Sequence, residues 1–346
     1  MSKRYSGVQV GGTRVAGTSK TAEEGAPLLL GLDLGGTKVA WAVGDAAGGV
    51  RASGRRPTEP TGDPRADVAR LAEDLRGAAA AAGIEVSQAQ LVGLSVPGPF
   101  DPEAGTVLEP PNLPGWSEVP VRRWLEAELG IPVFLENDAN AAALAEWHFG
   151  AAQGARHALY LTMSTGVGGG LILDRRLYRG VRGGAGEVGH IQLEWEGELC
   201  GCGLRGCAEA YLGGSCWAER LARITPADSR VAELAGGAAH ATPKEVVQAA
   251  QAGDPFALEE MDRFNHYLGR LLAALAFTLA PEVIVLGTIV TAAGEALCLE
   301  PVREQVRAHT WPAVSGDLRI VPAVLGDALP AHSALAAAIE GLAVSG

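Results

Sequence analysis

Two glycine-rich turns at distant points of the chain restrict its fold more than any other feature. Asp33-Leu34-Gly35-Gly36-Thr37 follows the apolar run Leu28-Leu29-Leu30-Gly31-Leu32 and precedes Val39-Ala40-Trp41-Ala42-Val43. Ser164-Thr165-Gly166-Val167-Gly168-Gly169-Gly170 follows the apolar run 158–163 and precedes Leu171-Ile172-Leu173. Each reads as a strand, a tight turn and a second strand, because short aliphatic runs bounded by glycine are strand and turn signals. The pattern, met twice, predicts a duplicated α/β fold with one glycine turn in each half and a cleft between the halves.

The segments between the turns fit that plan. Residues 67–82 carry Val68, Leu71 and Leu75 at helical spacing and stop at Gly83. A strand is expected over 91–96, closed by Pro97-Gly98-Pro99, then a helix over 119–129 that stops at Gly130. A strand over 133–135 runs into Glu136-Asn137-Asp138, and an Ala-rich helix over 139–149 follows. Further on, a long helix through Phe264, Leu268, Leu271, Leu272 and Leu275 precedes Pro281, and a buried strand over 283–286 meets Gly287. Residues 1–27 are Gly-, Ser- and Thr-rich without an apolar period, and are expected to be a disordered tail. Residues 28–138 form the expected small α/β domain, with the C-terminal helix 328–346 as a candidate completion, and 139–327 the larger one.

Composition narrows the partners. The 346 residues suggest roughly two domains at about 150 residues each. Lys and Arg number 28 against 40 Asp and Glu, a net charge of −12 with no basic run, which speaks against a nucleic-acid partner. Small phosphate-bearing molecules stay open, since backbone amides can hold them. Residues 271–286 are interrupted by Pro281 and Glu282, short of the roughly 18 apolar residues of a membrane span, and no apolar signal segment precedes Leu28. A cytoplasmic location is expected. Three of the five cysteines lie within eight positions, a crowding that favours a metal over a disulfide framework.

Two glycine turns can cradle a polyphosphate, because successive N–H groups without side chains converge on an anion. Asp33 stands where a carboxylate could hold a hydrated Mg²⁺ between phosphates, and Thr37, Lys38 and Thr165 supply donors. Either turn alone is compatible with an ordinary hairpin; the pair with an Asp at the first is not an ordinary coincidence. No G-x-x-x-x-G-K-[ST] motif occurs, and the two G-x-G-x-x-G strings, 184–189 and 201–206, neither follow a strand nor open a helix. His190, Cys200, Cys202 and Cys207 are spaced H-x9-C-x-C-x4-C, a Cys₃His set suited to structural zinc. Cys216 and Cys298 fit no ligand spacing and belong in the core or on helix faces. Asn137-Asp138, at a strand-to-helix junction, reads either as a helix N-cap or as a hydroxyl-binding Asn beside a general base, and position leaves both open. A metal that folds the loop would draw Glu187, His190 and Glu209 together, and converging carboxylates accept hydrogen bonds from sugar hydroxyls.

Asp33–Lys38 (DLGGTK), Glu136–Glu146 (ENDANAAALAE), Ser164–Gly170 (STGVGGG), Gly184–His190 (GAGEVGH) and Cys200–Glu209 (CGCGLRGCAE) together resemble the ROK family of sugar kinases and sugar-responsive repressors, in the actin-like ATPase superfamily. The resemblance runs from about Leu28 to the C-terminus. It implies an α/β fold of two RNase-H-like domains closing on a sugar across an interdomain cleft, with a zinc-bound loop. It implies Asp138 as catalytic base and sugar contacts from Asn137, Glu187, His190 and Glu209, with Gly98 and Asn112 nearby and His190 serving both zinc and sugar. Phosphate and nucleotide contacts fall to Asp33, Gly35, Gly36, Thr37, Lys38, Thr165, Gly166, Gly168 and Gly287. The chain departs from the family where Gly287-Thr288-Ile289 replaces a glycine pair or triplet on the adenosine side, and where Ala331-His332-Ser333 replaces small residues. The implied activity is ATP-dependent phosphorylation of a hexose at the 6-hydroxyl, glucose first, with N-acetylglucosamine, N-acetylmannosamine, mannose and fructose as alternatives. ATP, Mg²⁺ and structural Zn²⁺ are the implied cofactors. The expected partners are the sugar and ATP, without nucleic acid or membrane, and a homo-oligomer of two or four chains. A sugar-sensing repressor is the reading from another class; only about 27 residues, with the pair Gly11-Gly12, precede the first strand, too few and too irregular for a helix-turn-helix domain.

Overall fold

The computed structural model describes residues 26–110 and 113–345. The tail expected over 1–27, save its last two residues, and the candidate sugar contact Asn112 lie outside the described residues. The strands are β1 (Leu28–Leu34), β2 (Lys38–Asp45), β3 (Val50–Pro57), β4 (Leu91–Val96), β5 (Phe100–Asp101) and β6 (Thr106–Val107), then β7 (Val133–Asn137), β8 (Ala158–Met163), β9 (Val167–Leu173), β10 (Arg176–Leu177), β11 (Val283–Leu286) and β12 (Arg319–Pro322). The helices are α1 (Pro64–Ala81), α2 (Val121–Leu129), α3 (Asp138–Phe149), α4 (Glu209–Leu212), α5 (Gly214–Ile224) and α6 (Arg230–Ala235), then α7 (Pro243–Gln251), α8 (Pro255–Leu279), α9 (Ile289–Gly294), α10 (Glu300–His309), α11 (Pro312–Ser315) and α12 (Leu329–Ser345).

The chain divides into two compact units. One runs to Asp138 and resumes at Asp327; the other is Ala139–Gly326. The sheet of the first has the order β3-β2-β1-β4-β7, that of the second β10-β9-β8-β11-β12. Counted within its own unit, each sheet is ordered 3-2-1-4-5, with three antiparallel strands followed by two joined in parallel. The two glycine turns occupy the same place in both, between the first and second strands.

In the first unit both faces of the sheet are covered, so β1 and β4 read as continuous apolar runs. Leu30 and Leu32 join Val68, Leu71 and Leu75 of α1 in one cluster. Leu29 and Leu91 join Leu335 and Ala338 of α12 on the other face. Two glycines let α12 lie close: a Cβ on Gly31 would stand 2.7 Å from Ala334, and one on Gly93 only 2.2 Å from the Ala338 nitrogen. In α12 the run Ala334–Ala338 is fully buried, and His332 donates from Nδ1 to the Ala328 carbonyl at 2.9 Å. Helix α1 starts three residues before the expected 67, because Asp63 caps it by accepting from the Arg65 N–H (2.9 Å) and Pro64 opens it. Its apolar period sets in only a turn later. Helix α2 starts at Val121, not 119, because Val119 is still paired with Val107 in a short bridge.

In the second unit α3 packs on β9 through glycine. A Cβ on Gly168 would meet that of Ala139 at 3.1 Å, and one on Gly170 that of Ala143 at 2.4 Å, while Gly169, on the opposite face, underlies Val188 and Gly186. The long helix α8 supplies Phe264, Leu268, Leu271, Leu272 and Leu275 to the core, where Phe264 stacks on Trp217 of α5 at 5.0 Å. It ends at Ala280, held in the left-handed region at φ 43° ahead of Pro281. Glu146 of α3 is wholly buried; its Oε1 accepts from the N–H groups of Val324 (3.0 Å) and Leu325 (3.1 Å) and its Oε2 from Ala151 (2.8 Å). Cys298 is buried and Cys216 half-buried on α5. Among the described residues no helix is long and apolar enough to cross a membrane.

Candidate active site

In the first unit the carboxyl ends of three parallel strands stand side by side, the edge where open α/β sheets bind ligands. Asp33 of β1 is in register with Ser95 of β4, and Ser95 and Val96 with Glu136 and Asn137 of β7. The Ser95 hydroxyl donates to Asp33 Oδ1 at 2.6 Å. Burial pushes the Asp33 carboxyl up to about 7, the charge of Asp138 adds to the rise, and the Ser95 hydroxyl opposes it. A half-buried carboxylate near a second one is suited to a cation. The turn after β1 is closed by Gly35 N–H donating to the Lys38 carbonyl (2.9 Å) and by the Thr58 hydroxyl donating to the Gly35 carbonyl (2.7 Å). Thr37 and Lys38 are exposed on it.

Asn137 is the last residue of β7, and Asp138, exposed, is the first of α3. Glu136 is buried, its Oε1 accepting the Asn137 N–H at 3.0 Å. Gly98 adjoins Asn137: a Cβ there would lie 3.7 Å from the Asn137 amide nitrogen. The site's first half therefore gathers Asp33, Gly98, Asn137 and Asp138 with one residue that sequence reasoning missed, Ser95. Its signal was a lone hydroxyl in the apolar run 91–96.

The second unit repeats the layout with different side chains. The turn Ser164–Gly166 follows β8, and Gly287 follows the neighbouring parallel strand β11, its N–H donating to the Leu161 carbonyl at 2.8 Å. The Thr165 carbonyl accepts from Ser215 N–H (2.9 Å) and that of Ser164 from Gly214 N–H (2.8 Å), which ties the turn to the start of α5. Thr288 occupies φ 49°, ψ −106°, a conformation costly for a β-branched residue, and its hydroxyl donates to the Met163 carbonyl. The departure from glycine at this position is thus accommodated by a bond to the strand that enters the turn.

Glu209 links that turn to the cysteine loop. Its Oε2 accepts the Val167 N–H at 2.9 Å, its Oε1 lies 3.5 Å from the Cys200 sulfur, and a Cβ on Gly166 would come within 2.3 Å of Oε2. The donor atoms of His190, Cys200, Cys202 and Cys207 all lie within 4.8 Å of one another. A tetrahedral zinc with bonds of ~2.3 Å to sulfur sets its sulfurs ~3.8 Å apart. The Cys202 and Cys207 sulfurs are 3.8 Å apart, and so are the Cys200 sulfur and His190 Nδ1. The four residues fit such an ion. Burial pushes the Cys200 and Cys207 thiols up, whereas the Leu204 N–H beside Cys202 draws its thiol down. With Nδ1 turned to the cluster, His190 presents Nε2 to Glu187, 4.0 Å away.

Against known proteins, the ROK family profile matches residues 29–340. The chain belongs to the ROK family. The glucokinase of Streptomyces coelicolor is 35% identical over 321 residues, 90% of this chain and 96% of that one. Among solved structures, a ROK hexokinase from Thermus thermophilus is 38% identical with a TM-score of 0.77, over 92% of this chain and 99% of that one. A ROK family glucokinase from Streptomyces griseus, in complex with glucose and AMPPNP, is 34% identical with a TM-score of 0.74, over 92% of this chain and all of that one. The fold is that of the ROK sugar kinases, in the actin-like ATPase class.

Proposed function

We propose that this ROK protein transfers the γ-phosphoryl group of ATP to the 6-hydroxyl of glucose, with Asp138 as general base. That it is an ATP-dependent hexokinase rests on its likeness to the glucokinases and the hexokinase above. The observation that carries the chemistry is the pair of carboxylates, Asp33 and Asp138, at the carboxyl ends of β1 and β7 on either side of β4, one half-buried and one exposed. The exposed one would accept the proton of a bound hydroxyl, and the half-buried one is suited to a cation.

Asp138 accepts the proton of the 6-hydroxyl as that oxygen bonds to the γ-phosphorus and the bond to the ADP oxygen breaks. Asn137, Glu187, His190 and Glu209 hold the remaining hydroxyls, with Gly98 leaving room beside Asn137. Gly35, Gly36, Thr37 and Lys38 bind phosphate oxygens on one side and Thr165, Gly166 and Gly168 on the other, with Gly287 beside the nucleoside. Mg²⁺, held through water by Asp33, would neutralise phosphate charge; positioning and neutralisation are most of what phosphoryl transfer requires. Zinc on His190, Cys200, Cys202 and Cys207 would fix the loop that carries Glu187 and places Glu209.

The test is ADP release measured across a panel of hexoses with ATP and Mg²⁺. Glucose is expected to give the highest kcat/KM. A higher value for N-acetylglucosamine, N-acetylmannosamine, mannose or fructose would overturn the choice of sugar. Sugar binding without ADP release from any of them would favour the sugar-sensing reading instead.

A further inference from the structure

The second unit holds an open cavity of about 620 Å³ that shares no residue with the glycine turns, Glu187, His190 or Glu209 but takes Arg205 from within the cysteine loop. That volume falls within the ~300–1,000 Å³ of small-molecule sites. The rings of Tyr211 and Tyr267 stack at 3.9 Å, and the Arg263 guanidinium stands 5.3 Å from each ring centre. Among the described residues Arg263 has no ion pair and no hydrogen bond. Arg220, also on the wall, gives one nitrogen to the buried Glu260 at 3.1 Å, and its Nε is buried without a partner. Glu260 is already shared, accepting from Trp217 Nε1 at 2.9 Å. Burial and the charge of Arg220 both weaken the hold of Arg263 on its proton. Arg205, whose guanidinium donates to the Gly197 carbonyl at 3.2 Å, also lines the cavity, so three guanidiniums line it.

Carboxylates line the same cavity. Glu194 is paired with Arg270, but Glu196 and Glu198 are exposed and carry no ion pair among the described residues. Guanidinium forks match phosphate oxygens. Carboxylates accept from hydroxyls. Stacked tyrosines offer an apolar face with hydroxyl tips. We infer that this cavity is a second, non-catalytic site for a phosphorylated sugar, its phosphate on Arg263 and Arg220 and its hydroxyls on Glu196 and Glu198. The choice of glucose 6-phosphate as probe rests on the reaction proposed above; the site itself does not.

The experiment is calorimetric titration of the intact protein with glucose 6-phosphate while glucose and AMPPNP saturate the catalytic site. One saturable equivalent is expected, weakened at least tenfold in Arg263→Gln and at least threefold in Arg263→Lys, which keeps the charge and stem but loses the fork. Inorganic phosphate alone should bind at least tenfold more weakly than the sugar phosphate. Glucose turnover without added product should be unchanged in both variants. Absence of binding under these conditions, equal affinity for inorganic phosphate, unaltered affinity in both variants, or a change of oligomeric state in Arg263→Lys would overturn the inference. A protein that fails to phosphorylate glucose yet binds its 6-phosphate in this way would leave the second site standing and the proposed reaction refuted.

Discussion

Asp138 and Asn differ by little more than the capacity to take up a proton. Both serve well at a helix N-terminus, so Asp138→Asn separates a helix-opening role from a chemical one. We expect the variant to keep its melting temperature and lose roughly 10²-fold or more in kcat, as for removal of a positioned base; near wild-type turnover in steady-state assays would refute the mechanism. Asp33 makes a different prediction. Its carboxyl is raised to about 7 in the fold, against about 3.9 in an unfolded chain. Between those values the folded state holds a proton that the unfolded state has released. The stability this group contributes is therefore complete below about pH 4 and is lost as pH rises to about 7. Urea melts of the Mg²⁺-free protein across that range should show the decline, and Asp33→Asn should flatten it; an unchanged slope in the variant would remove Asp33 as its source. The Cys/His cluster and the glycines of both turns were legible in the sequence because spacing and small size are local properties. Ser95 was not, because what matters in it is the strand register that sets it opposite Asp33.

Among the elements, helix ends carry the clearest energetic statement. Ala280 closes α8 in the left-handed region, which costs an L-residue with a Cβ roughly 1–2 kcal/mol. Ala280→Gly should stabilise the protein by about 1 kcal/mol in thermal or denaturant unfolding; a loss of stability would show that the methyl group packs usefully. The cysteine loop gathers the four side chains proposed to hold zinc. Removing zinc with a strong chelator should release one equivalent and strip hydrogen-exchange protection from residues 190–207, while α8 keeps its own. Release of no zinc would sink the ligand assignment. Element boundaries were legible where apolar spacing begins with the element, as in β4 and β8. They were not where a cap or a bridge sets the limit, as with Asp63 before α1 and Val119 before α2. The run Gly168-Gly169-Gly170 was read as part of a phosphate turn; the structure adds that these positions lie in β9 and that Gly168 and Gly170 admit α3. The middle of α12 shows no apolar period because residues 333–338 are buried all round.

For the molecule as a whole, the decisive fact is that the first unit is made from two stretches of chain. Without α12 the face of β1 and β4 marked by Gly31 and Gly93 loses its cover. A chain ending at Gly326 should therefore lose exchange protection in β1, β4 and β7 while 139–326 keeps it; retained protection in those strands would show that α12 is dispensable. The duplication was legible from the two turns, whereas the strand order came only with the structure and this closing helix was only a candidate. On the ribosome the same arrangement imposes a delay. The strands of the first unit emerge first, and the helix that seals them follows only after about 190 further residues. At the ~5–20 residues per second of translation, that is a wait of roughly 10–40 s. Throughout it, an apolar sheet face stays open in a crowded cell, so the nascent chain should be a client of the chaperones that shield such surfaces until α12 has emerged.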